Sequence, residues 1–256
     1  MKSRRPNFNF LRPILFTGVL PCALAGAMLP AHALEFGEAE LYYELNNTDG
    51  DLGIHGSIDG GPYIELEIHD GKELTIGRLT AQGALAKQGL TQFFFESAEP
   101  KFSELSPGKF FKRFPEGEYE IVAETAKGEF IEAEVQLIQL MAAPVGNITV
   151  AGVPAAVRCT APNLPVVSAA APIVIDWDPV TFSHPTIGKR GPVQIAEYQF
   201  FIQREGVKLA LELPPDVTSF EVPASIIAMG NDFKFEIIAR TVSGNNTAVE
   251  SCFLVQ

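Results

Sequence analysis

From Phe36 onward, apolar and polar residues alternate in short runs separated by Gly, Pro, Asn and Asp, a two-residue period that predicts strands rather than helices. In the first half the runs cover 36–45, 51–58, 63–69, 73–79, 91–96, 119–124 and 129–137. Asp59-Gly60-Gly61-Pro62 and Asp70-Gly71 read as turns, and Ala126-Lys127-Gly128 stands where a hairpin needs it. Ser106-Pro107 is a helix start, so 103–115 is expected to hold one small helix. In the second half the runs cover 156–159, 173–177, 196–203, 209–213, 219–222, 233–241 and 248–255. The alternation is cleanest where Phe233, Phe235, Ile237 and Ala239 oppose Lys234, Glu236 and Arg240. Residues 143–154 keep no period and are expected to link two domains, 34–142 and 155–256.

The first 33 residues have the three parts of an export signal. Lys2, Arg4, Arg5 and Arg12 are the basic region, 14–29 the apolar stretch, and Ala31-His32-Ala33 the small residues before a cleavage site, which predicts a mature start at Leu34. Cys22 follows Pro21, where a lipoprotein signal places a small residue, so lipidation is not expected. No later apolar run approaches the roughly 20 residues a membrane helix needs.

Composition sharpens this picture. The 256 residues are 46% hydrophobic and 20% charged, enough for one large or two small domains, and carry a net charge of −12. Without the four basic residues of the signal, 15 basic side chains face 31 acidic ones, a net of −16. Phosphate binding needs a basic surface, so nucleic acid is excluded as a partner. The acid is concentrated in 34–142, which holds 21 acidic and 8 basic side chains against 10 and 7 in 143–256. Two cysteines remain, Cys159 and Cys252. In an exported chain such a pair is expected to form a disulfide, here across the second domain.

The second half resembles a fibronectin type III domain. Pro172 to Trp177 is similar to that family's second strand with its core Trp, and Ile195 to Tyr198 to the third with its core Tyr. Val222-Pro223 resembles the strand-ending apolar-Pro pair, and Phe233 to Ala239 followed by Gly244-Asn245 resembles the sixth strand. Phe233 stands where the family places a corner Tyr, whose hydroxyl bond is therefore absent. Residues 34–142 resemble an immunoglobulin-like sandwich through Phe114-Pro115-Glu116-Gly117-Glu118-Tyr119. The order of the two modules resembles that of secreted bacterial proteins. The expectation is an all-β chain of two β-sandwiches in tandem, the second fibronectin type III-like.

No catalytic signature is present: no G-x-S-x-G, H-E-x-x-H, Walker loop or G-x-G-x-x-G. If the 51–58 and 63–69 runs form a hairpin pairing Ile58 with Ile64, His55 and His69 face outward about 10 Å apart, too far to share a metal ion. Asn47, Asp49 and Asp51 lie in a loop whose carboxylates suit calcium, although the same residue types are those that a solvated turn selects. No other cofactor is implied. Glu96, Glu99, Glu116 and Glu118 flank Phe93-Phe94-Phe95 and Phe110-Phe111. That pattern fits a glycosidase cleft if two carboxyls converge, and otherwise the solubilising acid of an exported domain. Asn46, Asn147 and Asn245 head N-x-Thr sequons, which the bacterial character of the signal makes coincidental.

Together these features predict a non-catalytic exported protein, periplasmic or extracellular, that binds or scaffolds a protein or cell-surface polymer at the envelope. The alternatives are an accessory carbohydrate-binding protein, which calls for an exposed coplanar aromatic pair, and an acid-residue hydrolase, which calls for carboxyls converging in a pocket.

Overall fold

The computed structural model describes residues 35–256. The export signal and the start at Leu34 lie outside the described residues. The first seven strands are β1 (Phe36–Asn46), β2 (Asp51–Tyr63), β3 (Glu65–His69), β4 (Thr75–Thr80), β5 (Leu90–Glu96), β6 (Gly117–Glu124) and β7 (Phe130–Leu137). Helices α1 (Ala84–Gln88) and α2 (Pro107–Arg113) flank β5. The short strands β8 (Thr149–Val150), β9 (Val153–Pro154), β10 (Val166–Val167) and β11 (Val174–Asp176) follow. Then come β12 (Ile195–Arg204), β13 (Val207–Leu213), β14 (Ser219–Glu221), α3 (Ala224–Ile227), β15 (Asp232–Thr241) and β16 (Asn246–Val255).

The protein is all-β, two sandwiches in tandem. In the first, β1-β2-β5 packs on β4-β3-β6-β7; in the second, β14-β11-β8-β9 packs on β13-β12-β15-β16. With β1 matched to β8, β2 to β11, β3 to β12 and onward, both halves follow one order: the first, second and fifth strands face the third, fourth, sixth and seventh, and β9 adds an edge strand beside β8 in the second half. This is the arrangement that the fibronectin type III resemblance implies for the second half, and the first half repeats it. The first half also supplies the corner that Phe233 denies the second: the Tyr119 hydroxyl donates to the Pro115 carbonyl at 2.8 Å, closing the turn into β6. In the second sandwich the Tyr198 hydroxyl accepts the Val180 amide at 2.9 Å.

Each sandwich has its own core. Leu41, Tyr43, Ile54, Ile58, Leu66 and Ile121 gather in the first with Phe110 and Phe111 of α2. Pro107 opens that helix behind Ser106, as its missing N–H allows, and its two Phe rings meet Tyr43 edge-on at 6.4 and 5.1 Å. The second core stacks Trp177, Phe200 and Phe235 with Tyr198, Ile237 and Phe253. Cys159 and Cys252 are disulfide-bonded across 93 residues of chain.

Three expectations are corrected. Asp59 to Pro62 do not turn: they are a bulged stretch of one long β2, because Gly60 lets Phe36 lie close, and Pro62 offers no ladder donor. The chain crosses to the opposite sheet at Ile64, so β3 pairs with β4 and β6, and the Ile58–Ile64 hairpin is not formed. Residues 156–159 are not a strand. The first strand of the second sandwich is β8, within the segment expected as a linker, where Val150 and Thr149 pair with Ile175 and Asp176.

The two halves share a sheet. The end of β1 runs parallel to the start of β16, pairing Glu44 with Asn246 and Asn46 with Ala248, which yields one eight-stranded sheet. Asn245, fully buried in the turn before β16, fastens this junction. Its Oδ1 accepts the Tyr43 amide at 3.0 Å, and its Nδ2 donates to the carbonyls of Ile138 and Leu140 at 2.6 and 3.2 Å. Thr247 adds a bond to the Ala142 carbonyl at 3.0 Å. The described residues form one compact unit.

Candidate functional site

The outer face of the eight-stranded sheet runs across the junction without a break. Glu197, Arg240, Asn246, Glu44 and Gly53 stand side by side in register on β12, β15, β16, β1 and β2. The neighbouring row on this face is Tyr42, His55 and Glu96 on β1, β2 and β5.

On the second-sandwich side, cations answer the carboxylates. Arg240 reaches Glu40 at 2.5 Å and Glu197 at 3.8 Å while its guanidinium lies 4.9 Å over the Tyr42 ring, and Lys234 reaches Glu250 at 2.6 Å. Glu236 is pushed up to about 7 by its burial and by the charges of Glu250 and Glu44.

On the first-sandwich side the balance is different. His55 Nε2 lies 3.0 Å from Glu99 Oε1, and Nδ1 lies 3.8 Å from Glu44 Oε2. Among the described residues, His55 is the only basic side chain within ion-pair distance of either carboxylate. The ring is 3% exposed, which corrects the expectation that His55 is a surface residue. Gly53 explains the burial: a Cβ there would stand 2.5 Å from Glu99 Oε1, so only glycine lets the Glu99 side chain lie across the strand and cover the ring. Tyr42 and Phe94 flank it at 5.5 and 6.3 Å between ring centroids. Burial alone would lower the His55 pKa, but the Glu99 bond and the charges of Glu44, Glu99 and Glu96 outweigh it and hold the pKa above its ordinary value. Burial raises Glu44, against the Asn246 amide that donates to its Oε2 at 2.9 Å. Glu44, His55 and Glu99 offer one donor atom each within 4.8 Å of one another, the only such group of three among the described residues.

The loop before β2 is divided. Asn46 Oδ1 accepts the amides of Thr48 and Asp49 at 3.0 and 3.1 Å, an Asx turn. Asn47 turns away to the second sandwich, its Oδ1 3.2 Å from His184 Nε2. Asp49 is exposed, whereas Asp51 is half-buried and pushed up to about 6 by burial and by the charges of Glu99 and Asp49. Its Oδ1 is buried with no hydrogen-bond partner among the described residues.

The four glutamates that flank the phenylalanine runs do not converge. Glu96 and Glu99 belong to the outer sheet face, whereas Glu116 pairs with Lys189 at 2.6 Å and Glu118 accepts from Gln136 at 3.2 Å. The stacked pair Phe93 and Phe95 is half-buried in the mouth between β4 and β5, beside a cavity of about 320 Å³ whose lining includes no carboxylate. His69 sits on the opposite sheet from His55, 3.1 Å from Glu67. The sequence offered one signal for the His55 group, the glycine at 53 inside a strand, which announces a close approach. It offered none for Asn245.

No protein-family model matches the chain, and no curated protein matches it. Among solved structures, the chain is similar to a bacterial ice-binding adhesin, with 13% identity over 86% of this chain and 65% of that one, at a TM-score of 0.27. It is also similar to a two-domain fibronectin type III segment of chicken tenascin, with 11% identity over 86% of this chain and 98% of that one, at 0.27. A third is a Ca²⁺-stabilised adhesin of an Antarctic ice-binding bacterium, with 12% identity over 85% of this chain and 49% of that one, at 0.27. No helix among the described residues is long and apolar enough to cross a membrane.

Proposed function

We propose that this chain is a non-catalytic, exported binding or scaffolding protein of the cell envelope or extracellular surface. It engages a protein or surface polymer through the acidic outer face of its shared sheet. The observation that carries this reading is the junction: β1 joined to β16 and fastened by the buried Asn245 turns two sandwiches into one body with one continuous face. A rigid face lowers the ordering cost of association, and its uncompensated carboxylates favour a cationic partner. The acid-residue hydrolase is the less favoured reading, since the lining of the apolar cavity includes no carboxylate and Glu116 and Glu118 pair away from Glu96 and Glu99.

The test is capture from envelope extracts by immobilised purified protein, with Glu96 and Asp49, both exposed on the first sandwich, changed together to Lys. A partner held by the parent protein, released by salt and lost in the double variant is expected. Capture unchanged by the charge reversal would refute the assignment to this face.

A further inference from the structure

We infer that Glu44, His55 and Glu99 form a binding site for a divalent first-row metal ion, with zinc the ion their donors suit best. The site stands independently of any partner for the sheet face.

The donor set selects the ion. One imidazole nitrogen with two carboxylates is a mixed nitrogen and oxygen site, whereas calcium takes six to eight oxygens and magnesium keeps most of its waters. Imidazole suits zinc, copper, iron and nickel, and zinc with three protein ligands leaves a fourth position for water. Ligand atoms about 2.0–2.2 Å from a tetrahedral ion stand roughly 3.3–3.6 Å from one another. The donors here lie within 4.8 Å, and the Nδ1 to Glu44 separation is 3.8 Å. Closing that difference requires a movement of about 1 Å by carboxylates whose side chains are 21% and 23% exposed, so each has room to swing while the imidazole stays fixed.

Three features mark a prepared site rather than a chance gathering of acid. The first is the ring itself, with a side chain 4% exposed and both nitrogens aimed at carboxylates. Nδ1 faces Glu44 across a gap too long for a hydrogen bond, so no direct bond between these two has to break for an ion to enter. The second is the support around the ligands. Asn246, 2% exposed, holds Glu44 Oε2, while Ser97 exchanges bonds of 3.0 Å with the backbone of Ile54 and so fixes the chain that delivers Glu99. Gly53 leaves the space that Glu99 fills. The third is unanswered charge. Asp51 Oδ1 is buried and unpartnered beside this group, and Glu96 adds a further carboxylate at the rim. A divalent cation supplies what one imidazole cannot.

Zinc requires the imidazole neutral and so competes with protons for the ring nitrogen, which makes binding weaken as pH falls. The experiment is calorimetric titration of ZnCl₂ into purified tag-free protein freed of metal by chelator, at pH 7.5 and at pH 5.5. One ion per chain is expected at pH 7.5, with affinity at least tenfold weaker at pH 5.5. His55→Gln and Glu99→Gln should each weaken binding at least tenfold, and Gly53→Ala should do so by displacing Glu99. His69→Gln, which removes the other histidine and carboxylate pair, should leave binding intact. Circular dichroism and thermal unfolding establish that each variant is folded. The half-exposed Glu99 carries the test if the buried His55 does not tolerate change. Cobalt loading gives a second readout, a four-coordinate visible spectrum present in the parent and absent in Glu99→Gln. Absence of saturable binding in the parent, or parent-like affinity in both His55→Gln and Glu99→Gln, would overturn the site and leave His55 as a buried imidazole between two carboxylates.

Discussion

The amide side chain of Asn245 satisfies one backbone N–H and two backbone carbonyls that the junction would otherwise bury unpaired. Each group left without a partner costs about 1–3 kcal/mol, so Asn245→Ala should lower stability by about 3 kcal/mol in denaturant titration. Tyr119→Phe removes only the corner bond to Pro115 and should cost about 1 kcal/mol. Asp51 carries the opposite sign. Its pKa is raised in the fold, so the stability it contributes is present below its unfolded value and lost as pH rises toward 6. Because the carboxylate is partly solvated, screening reduces the effect, and Asp51→Asn in chelator at pH 8 should stabilise by about 1 kcal/mol. Of these residues, Tyr119 was legible in the sequence through the Pro115-Glu116-Gly117 lead-in, a local pattern. Asn245 was not, because its partners lie more than 100 positions away and its sequon directs attention to glycosylation, which its full burial forbids in the folded chain.

At the scale of strands, legibility followed the source of the signal. The Phe233, Phe235, Ile237 and Ala239 stripe is buried in β15 as the alternation predicts, because one face meets a core and the other meets solvent or a charged layer. That rule failed in β2, where residues 52–56 are buried on both faces. The inner face meets the core and the outer is roofed by Glu99, and period two cannot reveal a cover delivered from another strand. The turn expected at 59–62 rested on residue types that a bulge also uses, and α1 escaped because its residues are largely exposed and leave no apolar stripe. The sheet face also sets a pH dependence. Glu236, Glu44 and Asp51 are all raised, and each loses stability as pH rises from its unfolded value through its folded one. His55, also raised, contributes stability below its unfolded value that is lost above its folded one. His184, lowered by burial and by Arg190, opposes them. The values of about 7 for Glu236 and about 6 for Asp51 put their losses between pH 5 and pH 8, so the thermal midpoint should be higher at pH 5 than at pH 8. Glu236→Gln should flatten that slope, raising the midpoint at pH 8 by about 2–4 °C for each kcal/mol recovered.

For the whole molecule the fold class was open to reading because strand periods, turn residues and the Trp and Tyr core positions are local. The joining of the halves was not, since three backbone pairs and one buried amide decide it. The Cys159–Cys252 disulfide, legible from cysteine count alone, closes a long loop in the second sandwich. Its reduction should destabilise the chain by about 2–4 kcal/mol, read as a lower denaturant midpoint in dithiothreitol. The proposed role depends on the two sandwiches acting as one body that holds a single acidic face rigid. Differential scanning calorimetry of the oxidised protein tests this most directly. One transition is predicted, with calorimetric and van't Hoff enthalpies equal, separating into two in Asn245→Ala as the junction loosens. Two independent transitions in the parent protein, unchanged by Asn245→Ala, would contradict it.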